Sequence, residues 1–212
     1  MYQLVCSEPK HLNAIAACQM ECFPNSYNTK LGKSFTAKTL SWFLQNDKRF
    51  LYHIIHNNQV VGYCGGFAPQ YYGDGSSSGM LQCAFKEAII GVLKKPWLIF
   101  NKELRAYYPF IIRNIKKKLG LTKTLAAKPK PQDYVFKPSV GLVVIGVHPT
   151  MRGKGVFEII MKEFEQRALQ LNITNCSLSV RSSNARAIAA YKKMGWQIKS
   201  DKDGAVIMFK QL

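Results

Sequence analysis

The second half of the sequence alternates strand and helix patterns in a fixed order, which limits the folds that the chain can adopt. The apolar run "SVGLVVIGV" ends at Val147, and "KGVFEIIMKEFEQRALQLN" then repeats apolar residues at helical spacing. A second strand, "NCSLSVR", leads into the helix "NARAIAAYKKMG", and "WQIKS" and "AVIMFK" follow as strands. Short links between these elements predict an α/β fold whose central sheet is parallel in this half.

The first half adds three further strands and two helices. "MYQLVCS" alternates like a strand, while "RFLYHIIH" and "VVGYCGGFA" flank the polar "NNQ" and predict an antiparallel hairpin. Helical patterns lie in "EPKHLNAIAACQMECF" and "FTAKTLSWFLQND". With 212 residues, 47% of them hydrophobic, the chain can bury a substantial core. We therefore expect a single domain over residues 1–212.

Residues 72–138 differ from the sequence on either side. They open with "YGDGSSSG" and close with "AAKPKPQDYVFKP". Residues 86–137 contain thirteen Lys and Arg against three acidic residues, a net +10 out of +18 for the chain. We predict a basic helical insertion between the third and fourth strands. Its charge suits nucleic acid, acidic lipid head groups or phosphorylated small molecules, and its aromatic residues, such as Trp97 and Phe100, also suit a buried helix face.

Several functional classes lack their sequence signals. No stretch is long and apolar enough to span a bilayer, and "MYQLVCSEPKHL" lacks the order of a signal peptide, so we expect a cytoplasmic protein without integral membrane contact. The six cysteines show no CxxC pair, so reduced thiols are expected and no metal site is predicted. Because no RNP, zinc-finger or helix-turn-helix signature occurs, no nucleic-acid partner is expected.

The segment "VHPTMRGKGVF" joins the first of these strands to its helix. Gly153 and Gly155 permit unusual backbone angles, and the first N–H groups of the helix lack intrahelical partners. Arg152 and Lys154 add full positive charge. This combination predicts a diphosphate site, although an ordinary strand-to-helix loop with solvated cations remains the alternative. Neither the Walker nor the Rossmann spacing is present.

Two patterns taken together carry a family resemblance. "V-x-P-x-x-R-G-x-G" followed by "N-x-x-A-x-x-x-Y-x-x-x-G" and an aromatic residue strongly resembles the GNAT superfamily of acetyl-CoA-dependent N-acetyltransferases. The resemblance covers residues 140–198 closely, and the N-terminal helices and hairpin fit the same fold. It implies a mixed, splayed sheet of about six or seven strands flanked by helices. It also implies acetyl transfer from acetyl-CoA, without a metal, to a primary amine.

The resemblance further implies roles for individual residues. The pantetheine arm of acetyl-CoA would pair with the backbone of the strand before the loop and contact Asn184. Tyr191 would lie near the sulfur and supply a proton to the departing thiolate, the alternative being an ordinary core aromatic residue. The implied backbone contacts of the arm are Ile145, Gly146 and Val147. The implied pyrophosphate contacts are Arg152 and the N–H groups of Gly153, Lys154, Gly155, Val156, Phe157 and Glu158.

The sequence departs from the family pattern at two positions. Phe157 replaces a small residue, so its ring must turn away from the phosphate. Ser179 lies where family members that acetylate the N-terminus of a ribosomal protein carry the glutamate of "LEVR". A general base is therefore not evident, and His148, Glu21 or a chain of water molecules remain candidates. The missing carboxylate argues against a ribosomal-protein acceptor. The segment "ECFPNSYNTKLGKSF" loosely resembles segments of GNAT proteins from bacterial surface-polysaccharide gene clusters, and this resemblance implies a small-molecule or sugar-type amine.

Two other functions remain open at this stage. The chain could be a non-catalytic acyl-CoA-binding protein with the same fold, because Phe157 and the missing base weaken the catalytic pattern. It could also bind an anionic surface, either nucleic acid or membrane, through the basic insertion. Under the enzyme hypothesis the partners are acetyl-CoA and an amine acceptor, and a homodimer is left open.

Overall fold

One seven-stranded sheet forms the centre of the computed structural model, which describes residues 1–71, 74–100 and 137–212. The spatial order of the strands is β1-β2-β3-β4-β5-β7-β6. Neighbouring strands are antiparallel except for β4 and β5, which are parallel. The strands are β1 Gln3–Cys6, β2 Arg49–His56, β3 Gln59–Phe67, β4 Val140–Val147, β5 Asn175–Arg181, β6 Gln197–Lys202 and β7 Ala205–Gln211.

Helices cover both faces of the sheet. Because successive side chains of a strand alternate between faces, Leu51 and Tyr52 of β2 enter different apolar clusters. Leu51 packs with residues of the first and third helices, and Tyr52 packs with the long sixth helix. The described helices are α1 Leu12–Cys22, α2 Tyr27–Leu31, α3 Lys33–Ser41, α4 Ser76–Cys83, α5 Phe85–Lys94, α6 Val156–Gln170 and α7 Ala185–Lys193.

The predicted hairpin is confirmed in β2 and β3. His56 pairs with Gln59, and the two residues between them, Asn57 and Asn58, have φ angles of 49° and 59°. A two-residue turn with positive φ at both positions matches the right-handed twist of the strands, and asparagine tolerates these angles better than most residues. The sequence "NNQ" thus fixes the register of the hairpin.

The prediction of a sheet that is parallel in the second half holds for one pair of strands only. Only the β4–β5 pair is parallel, whereas β7 pairs antiparallel with both β5 and β6. A tight turn at Asp203 and Gly204, with φ angles of 55° and 75°, joins β6 to β7. Because a link of two residues is too short for a parallel crossover, β6 and β7 must form a hairpin.

Two helices between β3 and β4 occupy the described part of the predicted insertion. Helix α5 packs closely on α2, since a Cβ atom at Gly91 would lie 2.7 Å from the carbonyl oxygen of Leu31. Beyond this contact Leu93, Trp97 and Phe100 are 75%, 64% and 76% exposed. Residues 72–73 and 101–136 lie outside the described residues, so the insertion as a whole stays a prediction.

Among the helices of residues 1–71, 74–100 and 137–212, none has both the length and the apolar character needed to cross a membrane.

Candidate active site

Strands β4 and β5 separate part of the way along their length. They pair with each other from Val140 to Leu142 and from Cys176 to Leu178, after which β4 continues to Val147 and β5 to Arg181 without pairing with each other. We call the opening between residues 143–147 and 179–181 the cleft. The cleft begins at a bulge, because consecutive residues of β3 face Leu142 and Val144 and leave Val143 as the extra residue of β4. A bulge bends its strand, which accounts for the separation.

The β4 wall of the cleft presents unpaired backbone groups. The N–H of His148, directly after β4, donates to the carbonyl oxygen of Val61 on β3 at 2.9 Å. Backbone groups of successive strand residues point to opposite sides, so those of Val147 and Ile145 face the cleft. Two of the three residues expected to pair with an extended ligand therefore have the required orientation.

Gly146, the third of these residues, has a different function in the structure. It pairs with Tyr63 of β3, and a Cβ atom at this position would lie 2.4 Å from Cε1 of the Tyr63 ring. Glycine is thus required here to make room for a fully buried tyrosine behind the cleft wall.

The loop after β4 is an open cradle of backbone N–H groups. Gly153 and Gly155 have φ angles of 77° and 80°, and nothing lies within 4 Å of a Cβ atom built on either. Gly155 is the N-cap of α6, whose first-turn N–H groups at Val156, Phe157 and Glu158 have no acceptor within the helix. The N–H of Lys154 differs from these, because it donates to the carbonyl oxygen of Met151 at 3.3 Å.

Arg152 connects two elements at the mouth of the cleft. Its Nε donates to the carbonyl oxygen of Val147, and its Nη2 donates to that of Cys22 at the end of α1, each at 3.3 Å. The exposed side chain that the sequence assigned to a phosphate therefore also fixes the end of α1 beside the end of β4.

Phe157 turns inward, away from the cradle. Its ring meets that of Tyr191 edge-on, with centroids 5.6 Å apart, and Tyr191 in turn contacts Trp196. Tyr191 is only 5% exposed, and burial, with a smaller contribution from Cys64, raises the pKa of its hydroxyl above the usual value. The hydroxyl therefore stays protonated at neutral pH and can donate a proton. The aromatic ring at position 157 leaves the backbone donors of the loop accessible.

Asn184 caps α7, the helix that carries Tyr191. Its Oδ1 accepts a hydrogen bond from the N–H of Ala187 at 3.2 Å. With the oxygen committed to the cap, the Nδ2 hydrogens are the groups that Asn184 can offer to a ligand.

The structure brings together two residues that the sequence named separately as candidate bases. His148 Nε2 contacts Glu21 Oε2, although 127 positions separate them along the chain. Ser179 lies one residue beyond the last β4–β5 pair, on the exposed face of β5 opposite Ile207. No sequence signal could predict the His148–Glu21 contact, because it depends on how α1 lies across the sheet.

In the part of the chain that the structure describes, no group of three or more His, Cys, Asp and Glu residues is arranged to hold a metal ion.

Comparison with known proteins agrees with this architecture. The model of the acetyltransferase (GNAT) family matches residues 97–196. The PaiA N-acetyltransferase of Thermoplasma acidophilum, solved with coenzyme A, is 11% identical with a TM-score of 0.58, and the match covers 100% of this chain and 99% of that one. The ribosomal-protein-alanine N-acetyltransferase of Brucella melitensis is 14% identical with a TM-score of 0.55 over 99% of both chains.

The name of a third similar protein specifies a different class of acceptor. The aminoglycoside antibiotic 6'-N-acetyltransferase AAC(6')-Ih of Acinetobacter baumannii is 10% identical with a TM-score of 0.56, over 95% of this chain and 94% of that one. No curated protein matches the sequence. The split sheet, the glycine loop and these matches define an acyltransferase. Residues 97–196 of the chain match the GNAT acetyltransferase family, and the chain as a whole has the fold of these N-acetyltransferases.

Proposed function

We propose that the protein transfers the acetyl group of acetyl-CoA to a primary amine on a small-molecule or sugar-type acceptor, by direct attack on the thioester. One observation carries the proposal. The parallel strands β4 and β5 separate at the Val143 bulge, and β4 then runs directly into the cradle at residues 152–158. An extended ligand with an anionic end fits this combination of an unpaired strand edge and a helix N-terminus.

The donor side of the site consists mainly of backbone. The cleft-facing backbone groups of Ile145 and the N–H of Val147 suit the two amides of the pantetheine arm, while the carbonyl oxygen of Val147 accepts from Arg152. The N–H groups at the start of α6 suit the pyrophosphate, and the exposed Lys154 adds charge beside them. Asn184 Nδ2 offers a further donor from the β5 side.

Acetyl transfer requires one group that donates a proton to the departing CoA sulfur. The neutral amine attacks the thioester carbon, the C–N bond forms and the C–S bond breaks. Tyr191, which burial keeps protonated, donates its proton to the departing sulfur and regains one from the attacking nitrogen. Starting from the ammonium form, two protons leave the nitrogen, of which one ends on the thiol and the other in solvent.

An acetylation assay against a panel of amino sugars, polyamines and peptides with free N-termini tests the proposal. Titration calorimetry should show acetyl-CoA binding, and thiol release should require an amine. Binding of acetyl-CoA without turnover on any amine, in the wild type as in Tyr191→Phe, would favour the non-catalytic alternative. No acetyl-CoA binding at all would refute both.

A second candidate function rests on the exposed surface of α5 and the residues that follow it. Leu93, Trp97 and Phe100 are exposed beside Lys94 and Lys95, in a chain of net charge +18. Apolar side chains flanked by lysines are typical of protein surfaces that bind anionic membranes peripherally. We propose that this surface binds anionic lipid, which would bring the enzyme to acceptors held at a membrane.

Co-sedimentation with vesicles tests this second function. The protein should pellet with phosphatidylserine-containing vesicles and remain in solution with phosphatidylcholine alone. The double variant Trp97→Glu/Phe100→Glu should lose binding, whereas Ile198→Glu, an exposed apolar position on β6, should retain it. If the double variant binds the anionic vesicles as well as the wild type does, this surface is not the lipid-binding site. If the protein is retained on heparin but does not bind vesicles, the ligand of the surface is a polyanion and not a membrane.

A further inference from the structure

We infer that Glu21 is the docking site for the ammonium group of the acceptor and that His148 positions its carboxylate. The inference rests on the proposed acetyl transfer and identifies the acceptor subsite of the same cleft. Glu21 is the penultimate residue of α1, and His148 directly follows β4. Their contact places a carboxylate at the rim of the cleft, on the face of the sheet that α1 covers.

The orientation of His148 is fixed on three sides. Its backbone N–H donates to Val61, and its Nδ1 accepts from the N–H of Thr150 and lies 2.7 Å from the Thr150 hydroxyl. Because Nδ1 accepts, the ring proton lies on Nε2, which donates to Glu21 Oε2. Both ring nitrogens are therefore in use, and the group left for a ligand is the second oxygen of Glu21.

The carboxylate of Glu21 remains accessible in a strongly cationic protein. Its side chain is 61% exposed, against 21% for His148. The nearby Arg152 directs its guanidinium at the carbonyl oxygens of Val147 and Cys22 instead. Within residues 1–71, 74–100 and 137–212, no Lys or Arg forms an ion pair with Glu21.

The charge of Glu21 determines the class of ligand. The chain has 30 Lys and Arg against 12 Asp and Glu, so most of its surface repels a cation. An accessible carboxylate, held by a histidine at the rim of an acetyl-transfer cleft, is a local exception to this repulsion. It can hold the primary ammonium of an acceptor by a charge-assisted hydrogen bond beside the end of the cleft.

The position of Glu21 supports the same conclusion. Val147 is the last residue whose backbone faces the cleft, and the residue that holds Glu21 follows it immediately. Arg152 fixes the neighbouring Cys22 to Val147, so the end of α1 cannot move away from the rim without breaking two hydrogen bonds. The carboxylate is thereby held in place relative to the unpaired edge of β4.

Binding of CoA thioethers tests the inference without knowledge of the natural acceptor. S-(ω-aminoalkyl)-CoA ligands with two to six methylene groups carry an ammonium, and S-alkyl-CoA ligands of equal length do not. In the wild type at least one amino ligand should bind about ten-fold more tightly than its alkyl counterpart, the value expected for one charge-assisted hydrogen bond. Glu21→Gln should abolish this preference and leave S-alkyl-CoA binding unchanged.

Kinetics with the best amine of the panel provide the second readout. Glu21→Gln should raise KM for the amine about ten-fold or more and should not lower kcat, because the contact to the ammonium is made in the ground state and ends when the nitrogen is deprotonated for attack. Glu21→Asp should recover part of the loss, and His148→Asn should show a smaller rise in KM. The control Glu8→Gln changes an exposed glutamate that pairs with Lys10, and should have no effect.

The outcomes separate this inference from the proposed function. Equal binding of amino and alkyl ligands to the wild type, or a preference that survives in Glu21→Gln, would overturn the role of Glu21 while acetyl transfer stands. A wild-type protein that binds neither ligand would overturn the proposed function, and the docking site with it.

Discussion

The two sides of the cleft are built in different ways. The proposed donor side, from Ile145 to Glu158, offers mostly backbone groups of one continuous segment. The proposed acceptor rim depends on the side chain of Glu21, which is held by a histidine 127 positions away. Backbone sites tolerate changes of side chain but not changes of backbone conformation or charge, and side-chain sites behave in the opposite way. Substitutions on each side should therefore produce different kinds of loss.

Gly155→Glu should have the largest effect on the donor side. Gly155 has a φ of 80°, and a glutamate there would combine backbone strain with a negative charge in the cradle. We expect acetyl-CoA affinity to fall at least about 100-fold by calorimetry. Gly204→Glu is the matched control, because Gly204 also has a positive φ and open space but lies in the β6–β7 turn. If Gly155→Glu and Gly204→Glu bind acetyl-CoA equally well, the cradle is not the pyrophosphate site.

Tyr191→Phe should come next and should affect catalysis instead of binding. Loss of the hydroxyl proton should lower kcat about 100-fold with little change in the affinity for acetyl-CoA. Because burial raises the pKa of Tyr191, the wild type should show no loss of activity from this group between pH 7 and about pH 10. A pH–rate profile with a basic limb well below pH 10 that disappears in Tyr191→Phe would contradict the donor role as stated.

Arg152→Ala tests the one side chain shared by both sides of the cleft. We expect acetyl-CoA to bind about ten-fold more weakly, through loss of charge near the cradle. The melting temperature should also fall by a few degrees, because the hydrogen bonds to Val147 and Cys22 are lost. Compared with the alanine variant, Arg152→Lys should regain more of the acetyl-CoA affinity than of the melting temperature. Unchanged affinity in the alanine variant would leave Arg152 with the structural role alone.

Phe157→Ala should have the smallest effect on acetyl-CoA binding. It therefore tests whether the donor side depends on backbone and not on side chains. The inward ring contacts Tyr191, so its removal should lower the free energy of unfolding by about 2 kcal/mol in urea denaturation. Acetyl-CoA affinity should stay within about three-fold, because the N–H of residue 157 remains. Phe157→Leu should keep most of the stability. A large loss of affinity in the leucine variant would mean that the ring itself contributes to the site.

The same contrast explains what the sequence could predict. The donor side follows from local patterns, since a strand, a loop with Gly153 and Gly155 and an amphipathic helix are contiguous and their geometry is set by the residues themselves. The sheet of about six or seven strands and its flanking helices were implied by the family resemblance and are confirmed. The individual strands and helices depend on local periodicity, which single sequences carry well.

Features that depend on pairing between distant segments were missed. Nothing in "WQIKSDKDGAVIMFK" shows that β7 lies between β5 and β6, and the sheet was wrongly expected to be parallel there. The Val143 bulge is set by the register with Gly65 and Gly66 and has no local signal in β4. The Glu21–His148 contact likewise requires α1 to lie across the sheet, which no short motif encodes.

Amide hydrogen exchange with and without acetyl-CoA tests the central claim most directly. If backbone donors on the β4 edge and in the cradle bind acetyl-CoA, peptides covering residues 143–158 should become protected on its addition. Peptides covering α5, Phe85–Lys94, should not change. Gly155→Glu should lose this protection and Phe157→Leu should keep it. Saturating acetyl-CoA that leaves residues 143–158 unprotected in the wild type would contradict the account.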